Sequence, residues 1–150
     1  MGTTTLPASS TDRARLAGRL RLALTRLNRR LRQQAGSGLT VSGESALATI
    51  ARHGPVSLGD LAAHEGVKPP TMTTMVASLE AQGLVTRSVD AADRRVSLVA
   101  VTPRGRLRLQ RSRNRKTAYL AARLAGVDER ELGVLAEAAG IIERLLEEER

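Results

Sequence analysis

Few residues in this chain could do chemistry, and most of those suit hydrogen bonding better than bond making. There are two histidines, His53 and His64, and no cysteine. Without a thiol, a disulfide framework, a thiolate metal site and thiol-based redox sensing are excluded. Asp60 and His64 stand one helical turn apart, but two ligands without a third make a weak metal site. Surface hydrogen bonding is the expectation for His64, and a satisfied, partly buried position for His53. No Ser-His-Asp order, carboxylate pair or phosphate-cradling loop stands out, and Gly36-Ser37-Gly38, followed by no lysine, reads as a linker. No catalytic residue, metal or cofactor is therefore expected. What remains is a run of hydroxyl, proline and basic residues, Lys68, Pro70, Thr71, Thr73, Thr74 and Ser78, and then Arg87, Asp93, Arg94 and Arg95. Such groups offer donors and acceptors to base edges, methyl groups to thymine and cations to phosphates.

The elements that must position them are legible over residues 56–101. Ser57 and Asp60 fit a capping box at a helix start. Leu58, Leu61 and Ala62 give that helix an apolar stripe, and Gly66 stops it where a left-handed residue is needed. Val67 and Lys68 make a turn. Pro69 and Pro70 open the next helix, where a missing N–H costs little. Met72, Met75, Val76 and Leu79 recur at helical spacing and face inward, leaving Thr73, Thr74, Ala77 and Ser78 outside until Gly83 ends the run. An outward face of small hydroxyl residues can lie flat in a DNA major groove. Residues 84–89 and 96–101 then read as two strands, joined by the polar tip Asp90-Ala91-Ala92-Asp93-Arg94-Arg95.

Helix, turn, helix and a hairpin with a basic tip is the order of a winged helix-turn-helix. Residues 39–105 resemble the multiple-antibiotic-resistance regulator (MarR) family of bacterial transcription factors. The resemblance is carried by Leu39-Thr40, Leu61-Ala62, Val67 with Pro69 and Thr71, Leu79, Gly83-Leu84-Val85, Asp93 with Arg95, Val101-Thr102 and Gly105. It implies an α+β, mainly α, fold: a winged helix-turn-helix whose N- and C-terminal helices form a dimerisation region. It also implies a homodimeric, sequence-specific DNA-binding repressor, released from its operator by a small aromatic or phenolic ligand bound between the dimer helices and the DNA-binding lobe. Helix 69–82 would enter the major groove, and wing 90–95 the minor groove. Two positions depart from the family pattern: Lys68 stands where serine or threonine commonly caps the helix, and Thr74 where arginine is frequent. Base preferences of relatives therefore do not carry over.

With no Asn, Gln or Arg on the outward face of helix 69–82, direct readout is expected to be modest. Lys68 can reach guanine or a phosphate. Arg95, with Arg94 beside it, can enter a minor groove narrowed by A·T pairs, Asp93 orienting Arg95.

The chain has 150 residues, a net charge of +9, one tyrosine and neither tryptophan nor phenylalanine. That is one domain with an aliphatic core. Residues 84–125 hold eleven Arg or Lys and two Asp, so this segment alone accounts for the net +9. Positive charge beside a groove-reading helix is the footprint of phosphate binding, although single residues such as Arg108 and Arg113 are expected simply to solvate an exposed helix. No apolar run approaches the ~20 residues of a membrane span, and the first residues lack signal-peptide architecture. A cytoplasmic protein is expected, with no membrane partner.

Residues 1–10 read as a disordered tail. Residues 11–38 and 103–150 read as the helical dimerisation region, and 39–102 as the DNA-binding lobe. Leu16, Leu20 and Leu24 form an apolar stripe near one end, and Leu132, Leu135, Ile142, Leu145 and Leu146 another near the opposite end. These stripes must cover each other, within one chain or between two. Residues 12–32 hold eight basic side chains and one acidic, and 126–150 hold eight acidic and three basic; such complementarity steers and registers an interface. A DNA-architectural protein with little sequence preference and no inducer is the alternative reading.

Overall fold

A computed structural model describes residues 10–147. The expected tail lies outside them except for Ser10, which is already helical. The elements run α1 (Ser10–Ala35), α2 (Val41–His53), β1 (Val56–Ser57), α3 (Leu58–His64), α4 (Pro69–Ala81), β2 (Val85–Val89), β3 (Ser97–Val101), α5 (Pro103–Leu124) and α6 (Glu129–Glu147). This is the mainly α, winged helix-turn-helix order expected. No helix among the described residues is long and apolar enough to cross a membrane.

Local chemistry sets the element ends. Thr40 caps α2, its hydroxyl accepting from the Gly43 N–H at 3.1 Å. Ser57 caps α3 by accepting from the Asp60 N–H at 3.0 Å. The Asp60 carboxylate, however, takes the Ser57 hydroxyl proton at 2.7 Å and not the Ser57 amide. Half of the reciprocal capping box is thus replaced, at a residue that is also a strand residue opposite Leu98. Helices α3 and α4 end alike. Val67 N–H reaches Ala62 O and Gly66 N–H reaches Ala63 O, while Leu84 N–H reaches Leu79 O and Gly83 N–H reaches Glu80 O. Both closures need a left-handed residue after the cap, and Gly66 and Gly83 supply it at φ 62° and 69°.

The sheet is antiparallel in the order β1-β3-β2. Val85 lies opposite Val101, Arg87 opposite Val99, and Val89 opposite Ser97. Its inner face meets α2, α3 and α4 in a core of Leu47, Ile50, Leu61, Met72, Val76, Leu79, Leu84 and Val99. Met75 sits half-buried at the edge of that core.

The core continues into α5 through Leu109. Gly105 packs so closely that a Cβ there would lie 2.1 Å from the Leu84 carbonyl oxygen. Thr102 locks the same joint: its hydroxyl donates to Gly83 O at 2.7 Å and accepts from the Gly105 N–H at 3.0 Å. The start of α5 therefore shares the core of residues 39–102, although the sequence reading drew a boundary at 103.

Further along, Ser112 is a buried polar residue whose hydroxyl donates to Glu44 Oε1. Lys116 Nζ lies 2.7 Å from that same oxygen. Burial pushes the Glu44 carboxyl up, but the bonds from Lys116 and Ser112 outweigh it and hold the group below its ordinary value. The Arg123 guanidinium lies over the Tyr119 ring, its Cζ 5.2 Å from the ring centre.

The end of α1 is closed by side chains of α5. Arg115 donates to Ala35 O at 2.9 Å, and Arg108 donates to Ser37 O. Cations at a helix C-terminus satisfy its orphan carbonyls and favour its dipole. Arg108 is thus a half-buried clamp, not the merely solvating residue expected. Helix α6 buries no residue.

Candidate nucleic-acid interface

Lys68, Pro70, Thr71, Thr73, Thr74 and Ser78 are all exposed on α4 or at its start, while Met72, Val76 and Leu79 fix the opposite face in the core. Nothing bulky and apolar stands on the outer face. Lys68 is the N-cap residue, but an ammonium has no lone pair to accept a helix N–H, so it makes no side-chain cap bond, and its exposed side chain stands at the start of α4. The hydroxyls of Thr73 and Thr74 donate back to Pro69 O and Pro70 O at 3.0 and 3.2 Å. Their protons are engaged within the helix, so the oxygens face outward with lone pairs. In this state the two threonines present acceptors and methyl groups, a narrower offer than the donor-or-acceptor role expected of a free hydroxyl.

The wing tip is held by its own aspartates. Asp90 Oδ1 accepts from the Ala92 N–H at 2.7 Å, and Asp93 Oδ1 from the Arg95 N–H at 3.0 Å. Both are Asx turns, so that the tip is shaped by short polar side chains. The Arg95 guanidinium grips Asp93 through two bonds, Nε to Oδ1 at 3.0 Å and Nη2 to Oδ2 at 3.1 Å. Asp93 and Arg95 are therefore paired, the contact through which the sequence reading expects Asp93 to orient the arginine. These bonds to Arg95 hold the Asp93 carboxyl below its ordinary value. The Arg95 side chain nevertheless remains 91% exposed. Arg94 is exposed beside it.

Arg87 is placed differently from the others. It reaches from β2 to α4, with Nε 3.1 Å from Glu80 Oε2 and Nη2 donating to Thr73 O at 3.4 Å. The sequence reading grouped it with the DNA-contacting arginines, whereas here its charge is turned towards the helix. Sequence reasoning missed Asp90 and Glu80. For Asp90 the signal was present, as an aspartate two residues before a turn amide; for Glu80 there was none, because its partner lies on another element.

The two histidines do not form a metal site. Among the described residues, no group of three or more potential ligands gathers. Both rings are exposed, so the partly buried place expected for His53 is not found. They stack on each other instead, with centres 4.7 Å apart. The ends of α2 and α3 bring them together, a contact that neither helix's periodicity reveals.

Comparison with known proteins agrees with this geometry. The MarR family model matches residues 39–97. An uncharacterised HTH-type transcriptional regulator of Mycobacterium bovis is 39% identical over 136 residues, covering 90% of this chain and 95% of that protein. A crystal structure of a putative transcriptional regulator from Pseudomonas aeruginosa superposes with a TM-score of 0.82 at 29% identity, covering 93% of this chain and 99% of that one. A structure of Streptococcus pneumoniae FabT in complex with DNA shares the fold, with a TM-score of 0.66 at 21% identity over 91% of this chain and 99% of that one. With its two-helix unit, its wing and its relatives all agreeing, the chain belongs to the MarR family of DNA-binding transcriptional regulators.

Proposed function

We propose that this protein is a cytoplasmic, homodimeric repressor that binds a pseudo-palindromic operator and leaves it when a small organic ligand binds. Helix α4 enters the major groove with Lys68, Pro70, Thr71, Thr73, Thr74 and Ser78, and Arg94 and Arg95 enter the adjacent minor groove. The lobe over 39–102 carries these contacts, and the helices on either side carry the dimer.

The observation that carries the reading is the uncovered apolar face at the chain ends. Leu16, Leu20 and Leu24 are 40–45% exposed, and Leu135, Leu145 and Leu146 are 48–65% exposed. A patch of this kind is rare on a soluble monomer. A second copy covers it and sets two recognition helices about one DNA turn, roughly 34 Å, apart. Half-site centres then lie about 10 base pairs apart. A groove of about 640 Å³ between the start of α2 and the Thr74–Met75–Ser78 flank of α4, within the lobe and not between it and the dimer helices, has room for a single-ring molecule beside the recognition helix. The test is sedimentation of a chain lacking residues 126–150, with a footprint on an operator selected from genomic DNA. The truncated chain should be monomeric and should lose the paired protection; a monomer that protects both half-sites with full affinity overturns the reading.

The thin base-reading face of α4 favours one rival, a DNA-architectural protein of low specificity. Equal affinity for operator and competitor DNA at moderate salt would establish that rival.

A further inference from the structure

A recess of about 210 Å³ lies between α5 and the link from α1 to α2. Arg104, Arg108, Arg111 and Arg115 line it from successive turns of α5, with Ser112 among them and the 35–37 main chain opposite. No carboxylate lines it. Guanidinium groups do not give up their protons, so the recess holds four permanent positive charges. Two are fixed in place, Arg108 by Ser37 O and Arg115 by Ala35 O. Each guanidinium has five N–H donors, and these bonds use only some of them. Arg104 lies beside Gly83, where α4 ends, and the Ser112 hydroxyl bonds Glu44 of α2. The recess therefore lies at the end of α1 and at the joint between α2 and α5, and Arg104 on its rim packs near the turn that follows α4.

We propose that this recess is a binding site for a small, doubly charged oxyanion, a phosphate or a compact phosphomonoester or dicarboxylate. Arginine forks match such groups with paired, charge-assisted hydrogen bonds. The volume falls below the roughly 300–1,000 Å³ of pockets for drug-sized molecules, which disfavours a ring compound. The proposal does not depend on which face of the protein meets DNA. Its oxyanion can come from solution or from a DNA backbone, and the two sources are separable.

The probe is radiolabelled inorganic phosphate, dialysed against the full chain at constant ionic strength set with chloride. Saturable binding of one equivalent per chain is expected. Arg111→Gln should weaken it at least ten-fold: Arg111 is exposed and is not one of the two arginines tied to Ala35 and Ser37. Arg113→Gln removes the same charge from α5 outside the recess and should leave binding unchanged. Salt titration of DNA binding then assigns the source. A diffusible anion leaves the salt slope of Arg111→Gln equal to that of the parent, whereas a backbone phosphate lowers it by about one. No saturable binding, or equal weakening in both variants, overturns the site.

Discussion

Arg87 and Glu80 tie the wing to the recognition helix, their charged atoms 3.1 Å apart across β2 and α4. The Arg87 guanidinium also donates to the Thr73 carbonyl, so the first strand of the wing is braced at two points along α4. If α4 and the wing meet DNA as proposed, the angle between them is held by side chains that need not touch it themselves.

If Arg87 acts as this brace, Glu80→Ala and Arg87→Ala should weaken operator binding to similar degrees, and the double variant should be little worse than either. The salt dependence of binding should keep its slope, because no phosphate contact is lost. An increase in affinity on removing Glu80, which frees the guanidinium, would instead identify Arg87 as a phosphate ligand. Fluorescence anisotropy on labelled operator over a range of salt concentrations decides between them.

Arg95→Ala should reduce specific binding by roughly ten-fold or more while leaving chain assembly as it was. Asp93→Asn should show a smaller loss, since Arg95 keeps its charge but not its grip. Band-shift titration with selected operator, paired with sedimentation, measures both.

Glu44 predicts an acid limb in stability. Its folded pKa is lowered from the ordinary 4.5, so its contribution is complete above that value and fades as pH falls through the folded pKa. Melting temperature should therefore drop below about pH 4.5 more steeply in the parent than in Glu44→Gln. At neutral pH, Lys116→Met should cost about 1–3 kcal/mol by leaving a partly buried carboxylate with one partner fewer. Thermal melts across pH, followed by circular dichroism, test both statements.

Gly105→Ala should destabilise the protein by about 2 kcal/mol or more, among the larger effects of single substitutions, because its methyl would meet the Leu84 carbonyl oxygen. Denaturant unfolding measures the loss. A change of under half a kcal/mol would mean that α5 can slide away from Leu84 without cost.

The sequence made legible what recurs locally. The Pro69-Pro70 start, the Gly66 and Gly83 stops and the inward Met72, Val76 and Leu79 are each written within a few neighbouring residues. The pairings that cross the fold were not legible. Ser112 and Lys116 meet Glu44 from about seventy positions away, and Arg115 reaches Ala35 from eighty. Periodicity says which face of a helix is buried, but not which residue of another element lies against it. That is why Arg108 read as a surface charge and His53 as half-buried. Charge counting likewise located the basic excess without separating arginines that close α1 from those free to meet an anion.

The lone tyrosine has an optical consequence. Tyr119 lies on the outer half of α5, and no other aromatic chromophore of its kind exists in the chain. The helix-turn-helix and the wing are therefore dark in the near ultraviolet, and tyrosine emission reports on α5 alone. Backbone circular dichroism sees every helix. Heating the protein while recording both signals asks whether the dark half melts with the bright one. Coincident curves would mean that the Glu44–Lys116 joint makes a single cooperative unit, and separated curves that the groove-reading half can loosen while α5 stands.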